Sequence, residues 1–189
     1  MNTDDLIKIK TKKTNLPVSN FFKNRFSPRV FSSKIPKDKD IKTIFEAVKF
    51  TPSSYNRQPW FFYLAKNGSK RFLKLINCLM SGNDWANNVP ILILACYINP
   101  DEKGDNNYAQ YDLGQAVATL VYQAQILGYY THQIAGFYKE KLLDLVEKNQ
   151  HPHVLITLGK IGDYQKAEKR LVKIDSQPPI RKQILYQII

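Results

Sequence analysis

The segment Thr51-Pro52-Ser53-Ser54-Tyr55-Asn56-Arg57-Gln58-Pro59-Trp60 packs two serine hydroxyls, two carboxamides and a guanidinium into a loop framed by prolines. A carboxamide offers both a donor and an acceptor, so Asn56 and Gln58 suit the alternating edge of a flat, pyrimidine-like ring. The same residue types also suit a turn that satisfies its own backbone. From the loop alone, both readings stand.

Upstream, Arg25, Ser27 and Arg29 flank Pro28 at spacings of two. In an extended stretch such side chains share a face, which would bring two guanidiniums and a hydroxyl together. The guanidinium fork pairs bidentately with phosphate oxygens, or with a carbonyl edge that gathers negative charge. A solvated basic turn has the same composition. The usual catalytic sets are weaker. The three histidines are His132, His151 and His153; the last two lead into a strand and face one side, but no acidic cluster accompanies them, and no metal site is expected. Cys78 and Cys96 are isolated, and Cys96 falls in an apolar run where a thiol is inert. The chain lacks GxSxG, P-loop and GxGxxG patterns. An elaborate binding loop without an acid–base set points to chemistry carried by a cofactor.

A chain of 189 residues suits one domain, or one subunit whose core a partner completes. Its 43% apolar content excludes a disordered chain. The longest apolar run, Val89–Ile98, is too short to span a bilayer. The start, Met1-Asn2-Thr3-Asp4-Asp5, carries no apolar signal core, and the cysteine usage fits a reducing compartment, so a cytoplasmic protein is expected. The net charge of +12 would suit a nucleic-acid partner. The lysines, however, are spread along the whole chain, from Lys8 in front to Lys169 and Lys173 near the end, and follow no nucleic-acid-binding signature, which favours a solvated basic surface helped by anionic cofactors.

These residues need elements to hold them. Residues 1–18 are polar and lysine-rich and read as a flexible arm. Ser19 is a candidate cap for a short helix carrying Phe21, Phe22 and Arg25. Ile41, Ile44, Phe45 and Val48 follow a helical period that Pro52 terminates at Thr51. Trp60–Ala65 reads as a strand ended by Asn67-Gly68, and Phe72, Leu75, Ile76 and Leu79 mark a helix. Pro90–Ile98, unbroken in hydrophobicity, predicts a central strand covered on both faces. The longest helical signal runs from about Tyr108 to Leu127, carries the small residues Gly114, Ala116, Ala118 and Ala124, and is capped by Gly128. Tyr129–Ile134 reads as extended, Phe137–Lys148 as an amphipathic helix, and Val154–Leu158 as a strand. The apolar tail Ile180–Ile189 needs a surface to cover it, for which a partner subunit is a candidate. The order gives no clean βαβ series, so an α+β domain with a small sheet between helices is predicted.

Four pieces, in order, resemble the nitroreductase family of FMN-dependent oxidoreductases: Arg25-Phe26-Ser27-Pro28-Arg29, Pro52–Trp60, Asp112-Leu113-Gly114 with the helix that follows, and Ile134-Ala135-Gly136-Phe137. The resemblance covers residues 19 to 175 and implies a small, mainly antiparallel sheet flanked by helices, with a long central dimer helix. It divides the chain into an N-terminal arm (1–18), an FMN-binding domain (19–175) and a C-terminal tail (176–189) that packs on the partner subunit. It implies that Arg25 and Ser27, with Phe26 between them, hold the FMN phosphate and ribityl chain, and that Arg29 sits near the flavin N1/O2 edge. Ser53 and Ser54, following Pro52, would reach the cofactor across a homodimer, and Asn56 would bond its pyrimidine edge. Backbone amides at Ala135 and Gly136 would face N5, with no catalytic side chain required. Lys169 and Arg170 match the family's C-terminal basic contact to the phosphate. Some members carry an acidic residue where this chain has Ala135, which leaves the pocket less polar. The implied activity is ping-pong reduction of a nitroaromatic or quinone-like small molecule by NADPH or NADH. Alternatives are another flavin reaction such as dehalogenation, a flavin store or sensor with little turnover, and a basic nucleic-acid-binding protein.

Overall fold

Every residue from Ile91 to Cys96 is fully buried, and alternation along a strand explains how both faces come to be covered. Ile91, Ile93 and Ala95 belong to one apolar cluster, Leu92, Leu94 and Cys96 to another on the opposite side. The computed structural model describes residues 1–187; Ile188 and Ile189, the end of the expected tail, lie outside the described residues. The sheet holds four antiparallel strands, β1 (Trp60–Lys66), β2 (Ile91–Ile98), β3 (Tyr130–Ile134) and β4 (Gln150–Gly159), in the spatial order β1-β2-β4-β3. Six helices accompany them among the described residues: α1 (Thr3–Lys10), α2 (Asn20–Asn24), α3 (Asp38–Val48), α4 (Lys70–Ile76), α5 (Ala109–Ile126) and α6 (Lys169–Asp175). This is the predicted α+β architecture with a small antiparallel sheet.

One face of the sheet carries α3 and α5, through Ile41, Ile44 and Val48 of the former and Leu113, Val117 and Leu120 of the latter. The other carries Phe72 and Leu75 of α4, with Trp85. Burial pushes the Cys78 thiol up to about 11 and the Cys96 thiol up to about 12, so both stay protonated near neutrality. His151 stacks on the Tyr97 ring and bonds the Asn99 carbonyl through Nε2 at 2.7 Å, while His153 meets the same ring edge-on.

The edge strand β3 is overlaid by residues 26–31. Phe26 packs edge-on against Tyr130, the Pro28 carbonyl lies 3.0 Å from His132 Nδ1, and Phe31 stacks on Trp85. This segment then pairs with the chain beyond β4, where Gly162 N donates to Val30 O at 2.9 Å. A Cβ on Gly162 would stand 2.8 Å from the Phe31 carbonyl, so the close approach needs glycine.

Two expectations are corrected. Residues 1–18 are not a loose arm throughout: α1 is capped by Asn2, whose side chain accepts from Asp5 N, and Leu6 is fully buried against Phe26 and Tyr164. An eight-residue helix with a single buried position shows no periodicity that a sequence reading can detect. The helix expected over Phe137–Lys148 is only a 3-10 turn at Lys139–Leu142. Its first amides are spoken for elsewhere: Phe137 pairs with Leu79, and Tyr138 N donates to Cys78 O at 2.8 Å. Because Leu6 anchors α1, Leu6→Ala should destabilise the protein by about 2–3 kcal/mol in urea unfolding. A loosely held arm would leave stability within about 0.5 kcal/mol of wild type.

Candidate functional site

The polar loop between α3 and β1 is pinned at three places. Thr51 donates from Oγ1 to Thr119 Oγ1 at 2.8 Å, and Ser54 N donates to the buried Asp112 carboxylate at 3.1 Å, both on α5. Arg57 grips the following loop, bonding both carboxylate oxygens of Asp101 and the carbonyls of Gly104 and Asp105. That hydrogen bond holds the Asp101 carboxyl below its ordinary range and raises the Arg57 guanidinium. Arg57 is therefore a clamp within the protein, and its side chain is only 12% exposed.

Between these pins the backbone is strained. Tyr55, Asn56 and Gln58 have φ of 50°, 55° and 49°, the left-handed region that non-glycine residues avoid. Ser53 Oγ accepts from Gln58 N at 3.0 Å, and Gln58 Nε2 donates to Asn56 Oδ1 at 3.2 Å. The loop thus satisfies part of its own polarity and still presents Pro52, Asn56 and the half-buried Ser54 at the surface. Such strain is characteristic of binding loops.

A second polar region lies beside α2. Arg25 donates from Nη1 to Ser27 Oγ at 3.3 Å and lines an open cleft of about 340 Å³ with Lys12, Lys13, Lys23, Tyr122 and Arg181. Among the described residues no carboxylate lines this cleft. Lys12 Nζ is shielded from solvent and has no hydrogen-bond partner among the described residues. Burial first, then the charges of Arg25, Arg181 and Lys10, lower the Lys12 ammonium to about 8. Burial likewise lowers Arg25, although a guanidinium stays charged. Repulsive cations gathered around an orphaned buried nitrogen are the electrostatic signature of an anion site.

The other expected residues are distributed unequally. Arg29 does not join Arg25: its side chain and its backbone N–H both bond Asp175, each at 2.7 Å, and it lines a different cleft with Trp85 and Leu171. Asp175, 2% exposed, also accepts from Tyr164 OH at 2.6 Å. Phe26 is a core side chain. Lys169 and Arg170 open α6, where Arg170 pairs with Asp84 at 2.6 Å, and neither lines the Arg25 cleft. The C-terminal cation beside Arg25 is instead Arg181, from the extended tail. Ala135 and Gly136 form the exposed exit of β3, where the Gly136 carbonyl accepts from Met80 N and Asn83 Nδ2. Lys12, Arg181 and the Arg57–Asp101 pairing carry no local sequence signal, because each acts through a contact made only by the folded chain; Asp112 stands in a motif piece, but its hold on Ser54 is visible only in the fold.

The loop and the cationic cleft sit toward opposite ends of α5. Ser54 is held at Asp112, whereas the cleft wall includes Tyr122. Ten helical residues between those positions span about 15 Å. Within one chain the two halves do not meet.

A Mycolicibacterium smegmatis protein, described as an uncharacterized 15.4 kDa protein, is 31% identical over 115 residues, spanning 60% of this chain and 78% of the relative. A model of the nitroreductase family matches residues 22–88, which hold both Arg25–Arg29 and the polar loop. The chain belongs to the nitroreductase family. Among solved structures, an oxidoreductase containing FMN shares a TM-score of 0.82 and 26% identity over 90% of each chain. A nitroreductase family protein from Clostridium novyi NT gives a TM-score of 0.68 and 25% identity, over 78% of this chain and 87% of that one. The nitroreductase fold also appears in a Desulfovibrio desulfuricans protein described in complex with FMN, with a TM-score of 0.71, 19% identity and coverage of 93% and 99%.

In this family member the strained loop yields a direct test. Tyr55 is 89% exposed, so Tyr55→Gly relieves a left-handed φ and removes no packing. Urea unfolding should show a gain of about 0.5–1 kcal/mol. A loss of stability would mean that the ring makes a contact the fold depends on.

Proposed function

We propose that this nitroreductase-family protein is an FMN-dependent oxidoreductase, reducing nitroaromatic or quinone-like small molecules with NADPH or NADH as a homodimer with shared sites. The observation that carries the reading is the carboxylate-free cleft of Lys12, Arg25 and Arg181 around an unpartnered ammonium. It suits a phosphate monoester, and similar structures described with FMN supply the candidate. Arg25, Ser27 and Arg181 would hold the phosphate end, and Ser54 and Asn56 would meet the ring edge. The exit of β3 at Ala135-Gly136 would offer backbone beside the ring. A bound flavin supplies hydride chemistry in two alternating half-reactions, first with the nicotinamide donor and then with the acceptor. The chain's share is to orient the partners and to hold positive charge near them, with protons drawn from solvent.

Support for the dimer comes from α5. Its exposed side carries Tyr111 and Gly114, with the half-buried Ala118 and Tyr122 continuing the same stripe. Two such helices packed antiparallel would set the loop at the start of one against the cleft at the end of the other. Ser53, Ser54 and Asn56 of one subunit would then complete the site built on Arg25 of its partner. The exposed Ile180, Ile184, Leu185 and Tyr186 of the tail would gain cover from the same association.

Purified protein should be yellow, release FMN on denaturation, bleach anaerobically with NADPH or NADH, and regain colour with a quinone or nitroaromatic. A flavin that binds and never bleaches would sink the reductase reading in favour of a store or sensor, and a colourless preparation that FMN cannot restore would sink both. A Cβ at Gly114 meets nothing within 4 Å in one subunit. Gly114→Phe should therefore leave the fold intact by circular dichroism, yet halve the mass in light scattering and release the flavin.

A further inference from the structure

Just beyond the first helix stands a lysine whose ammonium has no hydrogen-bond partner among the described residues. Lys12 leaves α1 with its backbone N–H donating to Lys23 O at 3.0 Å, and the preceding Thr11 bonds the Asn24 side chain. With Leu6 buried at the other end of this segment, Lys12 is fixed beside Arg25. Its Nζ is buried and unpartnered, an arrangement a lone ammonium does not tolerate well. The groups that face it offer no relief. The end of α1 supplies Lys10, the α1–α2 connection Lys13, α2 Lys23, and the tail Arg181. Across the cleft, α5 contributes the Tyr122 hydroxyphenyl group. Asp175, the nearby carboxylate, is committed to Arg29 and Tyr164. Lys10 is itself turned away, donating to Gln177 O at 2.6 Å.

We infer that Lys12 is a phosphate ligand of bound FMN, contributed by the segment that follows the N-terminal helix, and that it takes up a proton as the phosphate enters. The inference rests on the flavin reading above. A phosphate monoester is dianionic above about pH 6 and accepts through three oxygens, so it supplies the acceptor that Lys12 lacks. In the free cleft the ammonium is lowered to about 8, held down by burial and neighbouring cations. The charge and hydrogen bonds of a dianion outweigh both influences and raise it again. Above about pH 8 the free protein therefore carries a largely neutral Lys12 and the complex a charged one. Each such binding event consumes a proton. FMN affinity should then fall with rising pH, by up to tenfold per unit between about pH 8 and 9.5. Riboflavin, which has no phosphate, should show neither the uptake nor the slope.

The full-length protein, stripped of flavin, is titrated calorimetrically with FMN and with riboflavin at about pH 8.8 in two buffers of different ionisation enthalpy. Wild type should take up most of one proton with FMN and none with riboflavin. Lys12→Arg, charged throughout, should bind FMN tightly with the uptake abolished. Lys12→Met, which keeps the stem, should weaken FMN about tenfold or more and leave riboflavin unchanged. The inference is overturned if Lys12→Met binds FMN as wild type does, or if Lys12→Arg takes up the same proton. Melting curves matching wild type establish that both variants fold. Should wild type bind neither flavin, the cofactor reading itself falls; should it bind both while the variants stay silent, only the role of Lys12 falls.

Discussion

A strand without a polar face must be covered twice, and the burial of Ile91–Cys96 on both sides organises the rest of the molecule. It commits α3 and α5 to one side and α4 with Trp85 to the other. Because α5 spends Leu113, Ala116, Val117 and Leu120 on the sheet, its opposite side leaves Tyr111 and Gly114 exposed, while Tyr122 nearer its end packs against Phe21 and Phe22 of α2. The same helix holds the polar loop through Asp112 and Thr119 and walls the cationic cleft through Tyr122. Thus the element that closes the core also spaces the two halves of the candidate site.

Charge is segregated with similar economy. The chain has 28 lysines and arginines against 16 acids, and several of those acids are already taken. Asp175 is held by Arg29 and Tyr164, Asp101 by Arg57, Asp84 by Arg170, and Asp38 by Lys66. The exposed pairs contribute little to stability. Their consequence is local: Lys12, Arg25 and Arg181 converge with no carboxylate beside them among the described residues. A site of that kind selects for charge before it selects for shape.

The sequence is most legible where a pattern is local. The apolar run of β2, the period of α3 and α5, and Pro52 shortly beyond the end of α3 at Val48 each announce themselves, as does the Ser19 cap, whose side chain accepts from Phe21 N. The motif residues Arg25, Ser53, Ser54 and Asn56 are equally visible, because their types and spacing are unusual. Contacts between distant segments are not. Arg29 and Arg25 look equivalent in sequence, and only Asp175, 146 positions away, pulls one of them out of the cleft. Arg170 and Arg181 compete as the C-terminal cation, and the choice falls to Asp84, which captures the former. Phe137–Lys148 has the composition of a helix, yet pairing with Leu79 and Cys78 claims its first residues.

The strained loop sharpens what a subunit brings to its partner. Three non-glycine residues in left-handed conformation cost of order 1 kcal/mol each, which the bonds of Gln58 to Ser53 and Asn56 inside the loop offset only in part. The rest of the compensation comes from Arg57 on Asp101, Ser54 on Asp112 and Thr51 on Thr119, all of which form within one chain. The loop is therefore rigid before any ligand or second subunit arrives. A flexible loop would lose conformational entropy at the moment of binding, at about 1–2 kcal/mol per residue ordered. Here that loss has already been met in folding, so a flat polar ligand encounters donors and acceptors that are already in place.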